Sequence, residues 1–206
     1  PFQLIKLVDF GKLFGKLFGS KKDETLLADL KDLAEEWIRV VDKNNARGFY
    51  AFARPKTNHT TLHEFRLDDH VWIWRTLHSL KESGLGDVLE NFERPPNPRL
   101  NTLSSKQTTR KHVPKLDHSP AVFKRHALRR FTTENPITKQ RMLAVARSPS
   151  ENRFYLHSRD TALLYKENSS FFPKYDALWE ATVDVQNIHE EYENSRRGNP
   201  LRYALA

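Results

Sequence analysis

Between Leu26 and Val41, the apolar side chains Leu26, Leu27, Leu30, Leu33, Trp37, Ile38 and Val41 return at the spacing of one helical face. Asp29, Lys31, Asp32, Glu35 and Glu36 occupy the other faces. A stripe of this kind dictates an amphipathic helix that buries one side. The spacing predicts a helix over residues 23–42, with acidic residues near its start, where the helix dipole favours them. Asn44, Asn45 and Gly48 stop it, and GFYAFAR at 48–54 reads as a short strand or an extended connection ended by Pro55.

The same signal recurs along the chain. Residues 67–83 read as a second helix, capped by Asp68 or Asp69 and closed by the glycines of SGLGD, with a short third helix over 88–92. Residues 120–132 place Phe123, Ala127, Leu128 and Phe131 on one face, and 139–146 form a short helix or strand. Helical patterns return over 160–167 and 175–192; in the latter Leu178, Trp179, Thr182, Val183, Gln186 and His189 trace one face. At the start, Phe10, Leu13, Phe14, Leu17 and Phe18 make residues 1–20 an amphipathic arm, weakened as a helix by Gly11, Gly15 and Gly19. The expected organisation is this arm, a helical segment 21–94, a basic proline-rich linker or loop 95–150, and a helical segment 151–206 packing with 21–94 as one domain.

Charge separates these parts. The chain of 206 residues carries a net charge of +8. Residues 95–150 hold twelve Lys and Arg against only Asp117 and Glu134, so this segment accounts for all of the excess. Seven of the eleven prolines lie in it. With no cysteine there is no disulfide, thiolate metal site or cysteine nucleophile. No apolar run approaches the roughly 20 residues of a membrane span. Pro1 at the start and Met142 as the single methionine lead to the expectation of a processed product or a fragment.

Chemistry concentrates in RFYLHSRDTALLY at 153–165. An Arg159–Asp160 pair stands at a helix start behind a run of aromatic side chains. A guanidinium offers a planar fork of donors and a carboxylate accepts two hydroxyls, so together they can orient a sugar ring, with Phe154 or Tyr155 as a stacking face. The alternative is a capping Asp, with Arg159 tying down a loop. The block Arg159-Asp160-Thr161-Ala162-Leu163 resembles the glucoamylase-like, six-hairpin glycoside hydrolases. The likeness runs on through Tyr175-Asp176-Ala177, Gln186 and Asn199-Pro200, within residues 153–200. It implies a mainly α fold of helical hairpins of (α/α)-barrel type, a partial barrel with a long basic loop. It further implies that Arg159 and Asp160 hold sugar hydroxyls. Ser158 stands where the family has an aromatic residue, and no acid or base carries over from the motif.

LHEFRLDDHVWIW at 62–74 is the second cluster. Asp68, Asp69 and Glu64 are grouped carboxylates in an aromatic setting, which makes Asp68 and Asp69 the candidate acid and base, with Trp72 or Trp74 stacking on the sugar. The alternative is helix capping by Asp68 beside core tryptophans. A metal site on His59, His63, His70 and Asp69 lacks the HExxH order, and no metal or other cofactor is expected. The expectation is a glycan-binding or glycoside-hydrolysing protein with a carbohydrate ligand. The competing expectation is a basic module that binds nucleic acid or another anionic partner through residues 99–147.

Overall fold

The helix expected over 23–42 forms as α1, Glu24–Asn44. Ala34, Ile38 and Val41 are its buried ridge, flanked by the half-buried Leu30, Leu33 and Trp37. The structure, a computed structural model, describes residues 4–6, 8–9, 24–45, 50–55, 63–91, 117–157, 160–164, 171–172 and 177–193. Of the N-terminal arm, residues 4–6 and 8–9 are helical, and Leu4 and Val8 join the core. The phenylalanine and glycine rows of the arm lie outside the described residues.

α2, Leu67–Glu82, is the central helix. Leu67, Val71, Ile73, Trp74, Leu77 and Leu80 are buried, so apolar surface surrounds it on several sides, the pattern of a helix inside a core. Its C-terminal end closes as a Schellman turn. Leu85 N–H donates to Leu80 O at 3.0 Å and Gly84 N–H to Lys81 O at 3.3 Å, with Gly84 at φ 83°. A short α3, Gly86–Asn91, follows.

Within the basic segment, α4 spans Pro120–Phe131, begins on a proline suited to the first helical turn, and buries Phe123, Ala127 and Phe131. The chain passes straight into β3, Thr132–Glu134, which pairs antiparallel with β4, Arg141–Leu143. The connecting turn is held by Asn135, whose Oδ1 accepts the N–H groups of Ile137 (2.9 Å) and Thr138 (3.3 Å). α5, Thr161–Leu164, and α6, Ala177–Glu193, complete the helices.

α6 packs on β4 through polar side chains that serve the strand backbone. Thr182 Oγ1 accepts Leu143 N–H at 3.0 Å and shares its proton between the carbonyls of Leu143 and Leu178. One turn later Gln186 Oε1 accepts Leu156 N–H at 3.0 Å, while its Nε2 donates to Phe154 O at 2.9 Å. Alternation along the end of β4 and the two residues after it divides the apolar side chains. Leu143 and Val145 enter the main core, and Met142 and Ala144 join Phe154, Ala181 and Val185 in a smaller cluster.

A four-stranded antiparallel sheet overturns the expectation of a mainly α fold built from helical hairpins. β1 (Ala53–Pro55), β2 (His63–Arg66), β5 (Ala146–Arg147) and β6 (Asn152–Arg153) lie in the order β1-β2-β5-β6. With the separate β3–β4 pair, the protein is mixed α/β, and the described residues contain no (α/α) barrel. Each strand has four residues or fewer, too short to show a two-residue period in the sequence. In β1, Pro55 stands on an edge strand, where its missing N–H costs no ladder bond.

Candidate functional site

Register decides which charges meet. Arg54 is opposite Glu64, and Arg66 is opposite Ala146, which is opposite Arg153. Residues directly paired across an antiparallel ladder share a face, as do alternate residues of one strand. Arg54, Glu64, Arg66 and Arg153 therefore line one face of the sheet. β2 runs without a break into α2, so Arg66 is both the last strand residue and the helix N-cap, at φ −114° and ψ 131°. The first turn of α2 brings Asp68 and Asp69 to that face, and the chain entering α5 adds Asp160.

Asp160 is the hub. It is 0% exposed. Its Oδ1 accepts Arg66 Nη2 at 2.7 Å and Arg153 Nη2 at 3.4 Å. Its Oδ2 accepts Arg153 Nη1 at 2.9 Å and the His157 N–H at 2.8 Å. Burial alone pushes its pKa up, but the bonds from Arg153, Arg66 and His157 outweigh that and hold it below the usual carboxylate value.

Asp68 is tied differently. Its Oδ1 accepts the Ala162 N–H of α5 at 2.6 Å, and Arg66 Nη2 lies 3.8 Å from Oδ2. Burial, with Asp69 and Asp160 nearby, raises its pKa to about 6. Asp69 is also raised by burial, opposed by Arg54 and Arg66. Its Oδ1 pairs with Arg54, while its buried Oδ2 has no hydrogen-bond partner among the described residues. Arg54 is 61% exposed along its side chain and Asp69 only 8%. Among the described residues four carboxylates, Glu64, Asp68, Asp69 and Asp160, gather around three guanidiniums. Burial first, and the nearby Asp69 and Asp160 after it, raise the pKa of Asp68.

His70, the residue after Asp69, is fully buried. Nδ1–H donates to Arg66 O at 2.6 Å and Nε2 lies 3.4 Å from the Phe52 N–H, so bonding assigns the neutral Nδ1–H tautomer. Burial lowers its pKa to about 4. Both ring nitrogens are engaged, which removes it as a metal ligand. His59 lies outside the described residues, and among these no group of three acidic or histidine side chains is placed to hold a metal ion.

The two clusters read from the sequence therefore meet, through Arg66–Asp160 and Asp68–Ala162. The remaining candidates scatter. Trp74 is buried edge-on to Phe171 at 5.2 Å, which places it in the core. Trp72 is half-buried and lies three residues beyond Asp69 on α2, hence on the same side of the helix. Tyr155 is exposed. Arg159 lies outside the described residues. Arg54, Arg66 and Arg153, the cations that organise the cluster, were not singled out by sequence reasoning. Concave surfaces among the described residues lie elsewhere, including one of about 540 Å³ along α1 at Asp32, Glu36 and Arg39 and one of about 360 Å³ between Lys81, Glu90, His118 and Pro120.

No family model matches the chain, and no curated protein or solved structure is recognisably similar to it. No helix among the described residues is long and apolar enough to cross a membrane.

Proposed function

We propose that the chain binds a glycan at the corner formed by β1, β2 and the first turn of α2, with Asp69 as the principal acceptor. One observation carries this reading: Asp69 Oδ2 is a buried carboxylate oxygen to which no described residue supplies a donor. Such an oxygen costs stability until a donor reaches it. Among the described residues Arg66 acts on Asp69 electrostatically, and the cation paired with it is Arg54, a mostly solvent-exposed side chain on an edge strand. Swinging that guanidinium aside uncovers an acceptor for a sugar hydroxyl, with Trp72 on the same side of α2 as the apolar neighbour. The likeness of residues 159–163 to a sugar-holding block points to the same class of ligand. Here, however, Asp160 has both oxygens filled by the protein's own donors, so the hydroxyl contact falls to Asp69.

The reading is one of binding, not hydrolysis. Hydrolysis needs two carboxylates flanking the scissile bond. Asp68 and Asp160, which interact with Asp69 electrostatically, hold the backbone at Ala162 and His157. Calorimetric titration with gluco-, manno- and galacto-oligosaccharides tests the proposal. The expected result is binding of at least one series, weakened at least about tenfold in Asp69→Asn, the loss of one charge-assisted hydrogen bond. Binding to none of them, or undiminished binding by a folded Asp69→Asn protein, overturns it.

A further inference from the structure

We propose that the outward face of α4 is a docking surface for the phosphodiester backbone of a nucleic acid. Phe123, Ala127 and Phe131 fasten this helix to the core. On the opposite ridge stand Arg125 and Arg129, both exposed and one turn apart, about 6 Å between their Cβ atoms by helical geometry. Among the described residues neither side chain makes an ion pair, hydrogen bond or ring contact. Like charges four residues apart weaken a helix.

Further guanidiniums stand at the last turn of the helix. Arg130 sits over the Phe65 ring at 5.4 Å. Arg147 of β5 donates Nη1 to the Arg130 carbonyl and Nε to Asn152 Oδ1 at 3.0 Å, which fixes a fourth guanidinium beside the last turn. The crowding is felt by neighbours. After burial, Arg147 is what lowers the Arg130 pKa, and Arg125, Arg129 and Arg130 help to hold down that of His126, which stacks on Tyr50 at 4.3 Å.

The chemistry of the ridge selects its partner. Guanidiniums present planar forks that match phosphate oxygens in pairs, and several fixed in a row displace the counterions of a polyanion. A lipid surface would need an apolar wedge as well as charge. The exposed large apolar side chains among the described residues are Val40, Ile137 and Tyr155, and none lies on α4. The observations therefore favour a nucleic-acid backbone, read without base specificity.

Fluorescence anisotropy of the full chain, with a labelled DNA duplex and a labelled single-stranded RNA each of about 20 nucleotides, tests this over a salt series. The expected result is affinity that falls steeply with salt. Arg125→Ala/Arg129→Ala should weaken binding at least about tenfold at low salt and reduce the duplex salt slope by about 2. Lys31→Ala/Lys43→Ala on α1 removes the same charge from a different surface and should leave most of the binding. Equal losses in the two double variants, with thermal midpoints unchanged, would show bulk charge alone and overturn the proposal. Absence of nucleic-acid binding at low salt also overturns it. So does binding only to vesicles containing phosphatidylserine.

Discussion

Arg66 and Asp160 stand 94 positions apart in the chain and meet at 2.7 Å, both with buried side chains. The bond joins the β2–α2 junction to the segment entering α5, and Arg153 clamps the same carboxylate from β6. Removing one member of a buried pair leaves an uncompensated charge, which costs about 3–5 kcal/mol. Asp160→Ala is expected to lose that much in urea unfolding, and Arg66→Met/Asp160→Leu is expected to lose less than Asp160→Ala alone. Because the Asp160 pKa is lowered by folding, its contribution is present above the usual carboxylate pKa and is lost as pH falls through the folded value. Asp160→Asn should therefore flatten the acid limb of the stability profile.

The turn after α2 offers a test on two glycines. Gly84 has φ 83°, in the left-handed region, although a Cβ there would meet nothing within 4 Å. Gly86, at the start of α3, is equally uncrowded and has no positive φ. Space is thus matched and conformation is not. Gly84→Ala should destabilise by about 1 kcal/mol, and Gly86→Ala should be neutral or slightly stabilising. Thermal midpoints of the two variants give the comparison.

These contacts also show what a linear pattern can carry. α1, α2 and α4 were legible because Ile38, Leu77 and Phe123 each sit in a stripe long enough for the helical period to repeat. The strands were not, since two to four residues hold no period, and His63–Arg66 reads equally well as the approach to a helix. In the site, Asp68, Asp69 and Asp160 stood out as carboxylates beside aromatic runs. Their guanidinium partners did not, because the placement of Arg54, Arg66 and Arg153 on one face depends on strand register between distant segments. No local spacing encodes Arg66 opposite Ala146 opposite Arg153.

Gln186 satisfies two buried backbone groups that the β-ladders leave open, Leu156 N–H and Phe154 C=O. Gln186→Leu keeps the volume and strands both, at about 1–3 kcal/mol for each unsatisfied group. Thr182→Val does the same to the N–H and C=O of Leu143. Both variants should lose stability by comparable amounts in urea unfolding. Amide exchange should also accelerate at Leu156 in the first variant and at Leu143 in the second, so each effect can be traced to its own bond.

Asp68 should make the protein less stable as pH rises, the reverse of Asp160. Its pKa is 3.8 when unexposed to the fold's environment and about 6 in the folded chain, because burial penalises its charge. Between those values the folded state binds more protons than the unfolded state, so raising the pH through this window withdraws stability, by about 3 kcal/mol for a shift of this size. His70 acts in the opposite sense over part of the same range. Its pKa is lowered to about 4, and the stability of its neutral form is lost as pH falls from 6.5. The whole-protein profile mixes the two, but a difference between variants separates them. Asn at position 68 can still accept the Ala162 N–H through its amide oxygen while carrying no charge. Asp68→Asn is therefore expected to gain on the wild-type chain as pH rises from 4 to 7.5, and the two should converge at the acid end. A gap that stays constant with pH would mean that Asp68 is ionised in the folded protein throughout, and that Arg66, 3.8 Å away, compensates its burial in full.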